Sequence, residues 1–341
     1  MKTISSLIAA SLSTALLAAC GGPGLSLSTP VSIAAPRTAV DRASRRAVGP
    51  NLYVANVAAV TVYAPGSDSV LRTISNLAPS TIGLDSSGNL YVANVPTGKS
   101  GNVAVYRAGT SSILRKITNS IQAPKALAFD SSGNLYVANS YFWVEIYPPG
   151  GTSPSGALKV FYAAALVFDR SGDLYVASDP SPYGHGKSQV LVFAPDRKQL
   201  RTIVQGLSTP IALALSSVGN LFVANYMGDD VTVYAPGKTS VIRTIAQGIK
   251  RPYALALDAA GNLYVANYGA SSVTVYAPGS STVLRTIRQG VSRPTSLLFD
   301  AFGNLYVANP KSVEVFAPGQ DTPQQTIVKG INGPVAMKFG P

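Results

Sequence analysis

Few residues in this 341-residue chain could perform acid–base or metal chemistry. His185 is the one histidine, Cys20 is the one cysteine, and Glu145 and Glu314 are the two glutamates. A zinc site built on histidines therefore cannot form, and a Ser-His-Asp triad would depend on His185 alone. His185 lies in the glycine-flanked segment DPSPYGHGKSQ (179–189), where a catalytic base would be held poorly. We therefore predict no catalytic residue, no cofactor and no metal site, and we expect His185 at the surface.

Ligand binding is the chemistry that the aromatic and cationic residues favour. They fall between apolar runs, where aromatic rings can stack on a sugar or clamp a peptide and cations can hold an anionic group. The predicted ligand-binding residues are Lys125, Tyr141, Phe142, Trp143, Tyr226, Arg251, Tyr253, Tyr268 and Arg293. Several of these aromatics lie beside an asparagine, namely Asn139, Asn225 and Asn267. The alternative, that the aromatics only cover the ends of neighbouring repeats, stays open.

The elements that must position these residues are copies of one unit. Its landmark, [GP]-[ND]-L-[YF]-V-A-[NS], occurs seven times at intervals of 38 to 47 residues, beginning at Asn51, Asn89, Asn134, Asp173, Asn220, Asn262 and Asn304. The clearest copy, residues 251–290, contains four short apolar runs separated by turn residues, which we label A to D. Four antiparallel strands per period are typical of propeller blades. The sequence therefore predicts an all-β, seven-bladed β-propeller of four-stranded antiparallel blades.

Within each copy, residue size and charge indicate where the strands lie. Strand A is rich in Ala and strand C carries a bulky aromatic residue, so A should be innermost and C further out, where blades diverge. The aspartates Asp85, Asp130, Asp169, Asp258 and Asp300 recur in the A–B turn, which indicates a structural role. Strand D carries Arg72, Arg115, Lys159, Arg201, Arg243 and Arg285, with Gln325 in the last copy. We expect these side chains to discourage edge-to-edge pairing.

The two ends of the repeat region complement each other. The first copy begins at Asn51 with its strand B, and the chain ends on GPVAMKFGP (333–341), which has the pattern of a strand A. We predict that residues 335–339 pair beside residues 51–56 and thereby close the ring without an open edge.

The repeat resembles the NHL-type repeats of β-propellers, because RPYALALDAAGNLYVAN (251–267) followed by VTVYAPG is similar to that family's pattern throughout. This resemblance covers residues 50–341. It departs in the loop after strand B, where the family often has Asn-(Asn/His)-Arg and this chain has Tyr-Gly-Ala-Ser-Ser (268–272). The family implies a platform for ligands, proteins or RNA, or, with added residues, a lactonase or lyase.

Calcium-dependent lactonase propellers, which the fold also resembles, use a cluster of Glu, Asn and Asp at the channel mouth. No matching glutamate lies just before or within any strand A. Asp179 and the pair Asp229–Asp230 could bind Ca²⁺ weakly, although solvated loop carboxylates are the more common case. A lactonase-like hydrolase or lyase at the channel mouth therefore remains the alternative to a non-catalytic binding or scaffold propeller.

The first residues resemble the export signal of a bacterial lipoprotein. Residues 1–19 place one lysine before an apolar run, and Leu17-Ala18-Ala19-Cys20 is similar to a lipobox, in which the cysteine is lipidated after cleavage. Residues 20–49 then read as a tether, and residues 50–341 as the propeller. We predict a protein lipid-anchored to the cell envelope, on the outer membrane if the cell is Gram-negative.

The chain is basic, with a net charge of +12. An anionic glycan or an envelope protein is the partner that we expect, in addition to the membrane reached through the lipid. Nucleic acid is not expected, since export separates the protein from it and no basic stripe with interleaved aromatics occurs. We expect a monomer.

Overall fold

The computed structural model describes residues 49–98, 100–179 and 186–341. The predicted signal peptide, the lipidation site Cys20, the tether up to residue 48 and His185 all lie outside the described residues. The described part of the chain contains no helix long and apolar enough to cross a membrane.

The first half of the described chain forms strands β1 to β15. The first group is β1 (Asn51–Ala55), β2 (Val60–Tyr63) and β3 (Val70–Ile74). The second is β4 (Pro79–Leu84), β5 (Leu90–Asn94), β6 (Asn102–Tyr106) and β7 (Ile113–Ile117). The third is β8 (Pro124–Phe129), β9 (Leu135–Asn139), β10 (Trp143–Tyr147) and β11 (Gly156–Lys159). The fourth is β12 (Ala163–Phe168), β13 (Leu174–Ser178), β14 (Gln189–Phe193) and β15 (Gln199–Ile203).

The second half follows the same order. The fifth group is β16 (Pro210–Leu215), β17 (Leu221–Asn225), β18 (Asp230–Tyr234) and β19 (Val241–Ile245). The sixth is β20 (Pro252–Leu257), β21 (Leu263–Asn267), β22 (Ser272–Tyr276) and β23 (Arg285–Ile287). The seventh is β24 (Ser296–Phe299), β25 (Leu305–Asn309), β26 (Ser312–Phe316) and β27 (Gln325–Ile327), and β28 (Ala336–Gly340) ends the series.

These strands form seven four-stranded antiparallel sheets, one per blade, and the predicted seven-bladed propeller is confirmed. Each blade is numbered by its group and runs in the order A, B, C, D. The A strands of successive blades contact each other around the whole ring. Strand A is therefore innermost, as its small side chains predicted.

The ring closes through the two ends of the repeat region. Strand β28 pairs antiparallel with β1, with Ala336 opposite Ala55 and Gly340 opposite Asn51, and it supplies strand A of the first blade. The Val335 amide also donates to Ala55 O at 2.8 Å. The predicted closure is confirmed, with the strand one residue further along than 335–339.

The A–B turns owe their shape to the recurrent aspartate. In the sixth blade, Asp258 Oδ1 accepts from the Ala260 and Asn262 amides at 3.0 and 2.8 Å, and its Oδ2 accepts from Asn262 Nδ2 at 2.8 Å. Gly261 adopts a φ of 82°, which favours glycine. Together with the C–D links, these turns form one face of the ring, which we call the turn face. The opposite face carries the B–C and D–A links and is called the loop face.

The core lies between neighbouring blades. Aromatic residues on strand C are fully or almost fully buried there, and several tyrosines also bind the preceding blade. Tyr276 Oη, for example, donates to Gln247 O at 2.5 Å, and Tyr63 Oη donates to Lys329 O at 2.6 Å. Burial of a large aromatic residue stabilises by a few kcal/mol, at roughly 25 cal/mol per Å² of apolar surface.

Four of the strand D arginines contact tyrosines of strand B. Arg72, Arg115, Arg201 and Arg285 each lie over a strand B tyrosine ring, at 5.6 to 5.7 Å from the centroid, and donate to its hydroxyl. Lys159 lies on strand D, as predicted, but not at the position of the arginines. Gly156 takes that place, opposite Ile146, and Lys159 lies beyond it, opposite Trp143. Gly156 follows Tyr147 at the same spacing as Arg72 follows Tyr63, so the register of this blade is unchanged and only the arginine is missing.

Candidate functional site

The mouth of the channel on the loop face is lined by the second residue of the innermost segments. In five blades this residue is a β-bulge, which changes the direction of its side chain. We call the set the mouth ring, and it consists of Ser80, Lys125, Ala164, Ile211, Tyr253, Thr295 and Val335. Ser80 Oγ and Thr295 Oγ1 donate to the backbone of the next blade, at Pro124 O (2.5 Å) and Pro334 O (2.8 Å). Lys125 and Tyr253 are exposed and available to a ligand.

Four of the predicted ligand-binding residues come together beside this mouth. The Tyr253 ring lies 6.2 Å from that of Tyr226, nearly perpendicular to it, and 5.7 Å from that of Tyr268. The Arg251 guanidinium lies 6.0 Å from the Tyr226 centroid. We call these four residues the tyrosine cluster. They derive from two successive blades, the fifth and the sixth, and 42 residues separate the most distant pair in the sequence.

The backbone beneath the cluster is strained and pinned. Arg251 has a φ of 46°, in the left-handed region, as do the equivalent residues Tyr162, Thr209 and Arg293 of other blades. Its amide donates to Asp229 Oδ1 at 2.8 Å, and Lys250 Nζ donates to Asp229 Oδ2 at 2.5 Å. The Lys250 hydrogen bond, together with the Arg251 amide, lowers the pKa of Asp229. Asp229 therefore stays ionised and anchors the segment that carries Arg251.

The tyrosines of the cluster lie close enough together to affect the pKa of Tyr253. Burial raises the pKa of the Tyr253 hydroxyl, and the neighbouring Tyr226 and Tyr268 raise it further. Tyr253 nevertheless keeps 41% of its surface exposed. The cluster thus presents phenol hydroxyls and apolar ring faces beside the Arg251 guanidinium.

Buried asparagines hold the loops in place. Asn267, which is completely buried, donates from Nδ2 to Thr274 Oγ1 at 3.0 Å and accepts from the Lys250 amide at 3.1 Å. Asn139 and Asn225 make equivalent contacts with the amides of Gln122 and Ser208. The side chains of these asparagines are therefore used inside the fold, beneath the aromatic residues that follow them in the sequence.

A second aromatic group lies on the same face, at the third and fourth blades. The Tyr141 ring is 6.2 Å from that of Tyr162, and the Phe142 ring is 5.5 Å from that of Phe161. Trp143 begins β10 and is 42% exposed. Phe161 and Tyr162 were missed by the sequence reasoning. The signal was present in VFYAAAL (160–166), a D–A link with adjacent aromatic residues where other copies have polar ones.

The two remaining predicted residues lie on the loop face and belong to neither group. Lys125 is the exposed mouth-ring residue of the third blade. Arg293 precedes the inner strand of the seventh blade, with a φ of 42°, and its amide donates to Ser271 Oγ at 3.1 Å. The structure therefore brings four of the nine predicted residues into one cluster, places three in a second aromatic group, and leaves two apart.

A lactonase-like calcium site does not fit the mouth. The mouth ring contains no carboxylate, and its position in the third blade holds a lysine, which would repel Ca²⁺. Asp229 is engaged by Lys250, Asp230 accepts from Asn225 Nδ2 at 2.7 Å, and Asp179 accepts from Ser188 Oγ at 2.8 Å. Within the ranges that the structure describes, no group of three or more His, Cys, Asp or Glu side chains could hold a metal ion.

Comparison with known proteins finds a similarity for part of the chain. No curated protein matches it. A family model described as "SMP-30/Gluconolactonase/LRE-like region" matches residues 165–310, from β12 in the fourth blade to just beyond β25 in the seventh. The tyrosine cluster lies inside this range. This match and the resemblance to NHL-type repeats agree on the β-propeller fold. Residues 165–310 are thus similar to the SMP-30/gluconolactonase/LRE-like region, over less than half of the chain.

Proposed function

We propose that this protein is a non-catalytic binding propeller, lipid-anchored to the cell envelope through Cys20, which holds an acidic glycan on its loop face. The observation that carries the proposal is the convergence of Tyr226, Tyr253 and Tyr268 with Arg251 at the channel mouth. Each of these residues belongs to a link or bulge whose backbone is fixed from below, so the site is preformed. A preformed site loses little conformational entropy when a ligand binds.

The chemistry of the cluster favours a sugar that bears a negative charge. Aromatic ring faces supply apolar contact area, and phenol hydroxyls supply hydrogen bonds to sugar hydroxyls. Arg251 adds a guanidinium that can bind a carboxylate through two hydrogen bonds. Lys125 and Arg293, on the same face, add positive charge around the mouth and would attract a longer acidic polymer.

A lactonase-like hydrolase is the alternative, and the match to a family whose description includes gluconolactonase is the observation that favours it. The mouth ring has no carboxylate that could hold Ca²⁺ and it contains Lys125, which favours binding over hydrolysis. One assay distinguishes the two functions. Hydrolysis of glucono-δ-lactone that is accelerated by Ca²⁺ and abolished by chelator would replace the binding proposal.

The test uses the full chain purified in detergent and a panel of acidic and neutral oligosaccharides. We expect binding to acidic members, and at least tenfold weaker binding by Tyr253→Ala, which is about 1.4 kcal/mol. Phe302→Ala is the matched control, because Phe302 is an exposed aromatic residue on the turn face. Equal losses in the two variants, or no acidic glycan bound at all, would contradict the proposal.

The anchor is tested separately. Cys20→Ala should abolish incorporation of labelled palmitate and release the protein from the membrane fraction. Continued labelling of this variant would overturn the lipoprotein assignment and leave the glycan proposal untouched.

A further inference from the structure

The seven inner strands, all within the described residues, carry two charged side chains, Lys125 and Lys338, and no carboxylate. Lys338 lies on β28, opposite Tyr53 of β1. The residues at the equivalent place of the other inner strands are small or apolar, namely Gly83, Ala128, Val167, Ala214, Ala256 and Leu298. The repeat therefore gives no structural reason for a lysine at this place.

The packing of β28 leaves Lys338 one open direction, toward the axis of the ring. On its outer side β28 pairs with β1, and the inner strands β4 and β24 lie on its two flanks. Gly340 is two residues further on, hence on the same face of the strand, and a Cβ there would be 2.6 Å from Leu84 Cδ1 of β4. Lys338 is nevertheless exposed, whereas Met337 beside it is buried. The exposed side chain of Lys338 therefore lies in the channel.

Within the described residues, the ammonium group of Lys338 makes no hydrogen bond and no ion pair. Burial lowers the pKa of this lysine, and no acidic group acts on it. The turn aspartates of the two flanking blades, Asp85 and Asp300, use both carboxylate oxygens within their own turns. In the first blade Gly340 takes the place of that aspartate. The channel therefore contains a cation that no carboxylate of the protein compensates.

Lys125 adds a second cation to the same channel. It is exposed at the mouth on the loop face, and its place in the repeat is that of Val335, three residues before Lys338. At roughly 3.3 Å per residue, the two positions differ in depth by about 10 Å. Charges of one sign between walls of low dielectric focus the electrostatic field and concentrate counter-ions. The channel should therefore attract anions from its mouth toward Lys338.

We propose that the channel is a second binding site, in which Lys338 holds an oxyanion such as a carboxylate or a phosphate group. An ammonium group offers three donors on a flexible stem and suits either group, since it imposes no planar geometry on its partner. Lys125 raises the local concentration of the anion at the entrance. The site uses other residues than the tyrosine cluster and does not depend on the function proposed for that cluster.

Thermal unfolding of the full chain in detergent tests this site, with inorganic phosphate and glucuronate as probes at constant ionic strength. Binding to the folded state alone raises the melting temperature as the ligand concentration increases. We expect a saturable rise for at least one probe, and an apparent affinity weaker by about tenfold or more in Lys338→Met, which keeps the length of the side chain and removes its charge. A larger response to glucuronate would indicate an acidic sugar, and a larger response to phosphate would indicate phosphate or a phosphorylated ligand.

Two further variants make the result specific. Lys116→Met removes an exposed lysine from the outer strand β7 and should leave the response unchanged. Lys338→Arg keeps the positive charge in the channel and should keep the response. No response in the natural chain, an unchanged response in Lys338→Met, or an equal loss in Lys116→Met would each overturn the proposal.

A measurement on the natural chain keeps the test independent of how well Lys338→Met folds. In NMR spectra of protein with ¹³C-labelled lysine, the Lys338 Cε signal is identified as the one missing from Lys338→Arg. This signal should move with increasing probe concentration, because the bound anion lies beside the ammonium group, whereas the Lys116 signal should not. A Lys338 signal that stays in place, or equal movement of the two signals, would also overturn the proposal.

Discussion

The two faces of the ring are built from the same strands but differ in how closely they follow the repeat. On the turn face, five blades carry the same aspartate in the A–B turn with the same hydrogen bonds to its backbone. On the loop face, the links vary in length and the residue type at equivalent positions differs between blades; the position after strand B, for example, is tyrosine in the fifth and sixth blades and valine in the first and second. The repeat explains the first face and leaves the second free for individual residues.

The two faces differ because their backbone amide groups find hydrogen-bond partners in different ways. A tight A–B turn uses its own aspartate and a glycine of positive φ, so its sequence is constrained by geometry. The loop face satisfies its amides from below through the buried asparagine that ends strand B. Asn309, for instance, accepts from the Ser292 amide at 2.9 Å and donates to Gly290 O at 2.8 Å. Loop side chains above this framework can change without cost to the fold.

The largest expected effect is a loss of stability of the whole ring, caused by a substitution in the strand that closes it. Met337 is 4% exposed and lies in a core cluster with Val54 and Tyr306. Met337→Asp should lower the free energy of unfolding by about 4 kcal/mol or more, since it places an unpaired charge in this core. Urea denaturation measures the change. Val218→Asp, at a 71% exposed site, is the control, and equal midpoints for the two variants would contradict the closure.

Two variants with smaller effects on stability should differ in ligand binding, because one lies on the loop face and the other on the turn face. Asn267→Ala should cost about 2 kcal/mol, because it leaves the Lys250 amide without its acceptor, and it should also weaken ligand binding at the tyrosine cluster. Asp258→Ala on the turn face should cost about 1 kcal/mol and leave that binding unchanged. Denaturation and glycan titration of both variants provide the comparison. Loss of binding in Asp258→Ala would show that the faces are not independent.

The smallest expected effect is a pH dependence of stability. Glu145 is 8% exposed, and burial raises its pKa. The folded protein therefore holds this proton to higher pH than the unfolded chain does. Stability should fall as pH rises from the unfolded pKa of about 4.3 through the raised folded pKa. Glu145→Gln should remove this fall, which makes the variant more stable than the natural chain near neutral pH and equal to it below pH ~4.

The other glutamate is the control for this pH effect. Glu314 has the same place in the seventh blade but accepts from Ser312 Oγ at 2.7 Å and Thr326 Oγ1 at 2.6 Å. In the third blade the corresponding residues are Trp143 and Ala157, which leave Glu145 without these partners. Glu314→Gln should therefore destabilise near neutral pH. A gain in stability there for Glu314→Gln, or none for Glu145→Gln, would refute this account.

Much of the fold was predictable because every copy of the repeat contains short apolar runs separated by turn residues. The seven copies, the order of strands A to D and the closing strand near residue 336 all follow from apolar periodicity and turn residues. Lys159 was matched to the arginines by residue type, whereas the spacing from the strand C aromatic, which leads to Arg72, Arg115 and Arg285 in other blades, leads to Gly156 in the third. The arrival of Arg197 from the next blade depends on a contact between blades that no local pattern records.

The sequence by itself determined the number of blades, the radial order of strands and the residue types that can bind a ligand, since each depends on neighbours within one repeat. Only the tertiary structure decided which of those residues meet. Tyr226, Tyr253 and Tyr268 form a cluster because a bulge directs Tyr253 toward the mouth and adjacent blades place the other two beside it. This outcome follows from distances between repeats, which ring closure fixes and the sequence within a repeat does not.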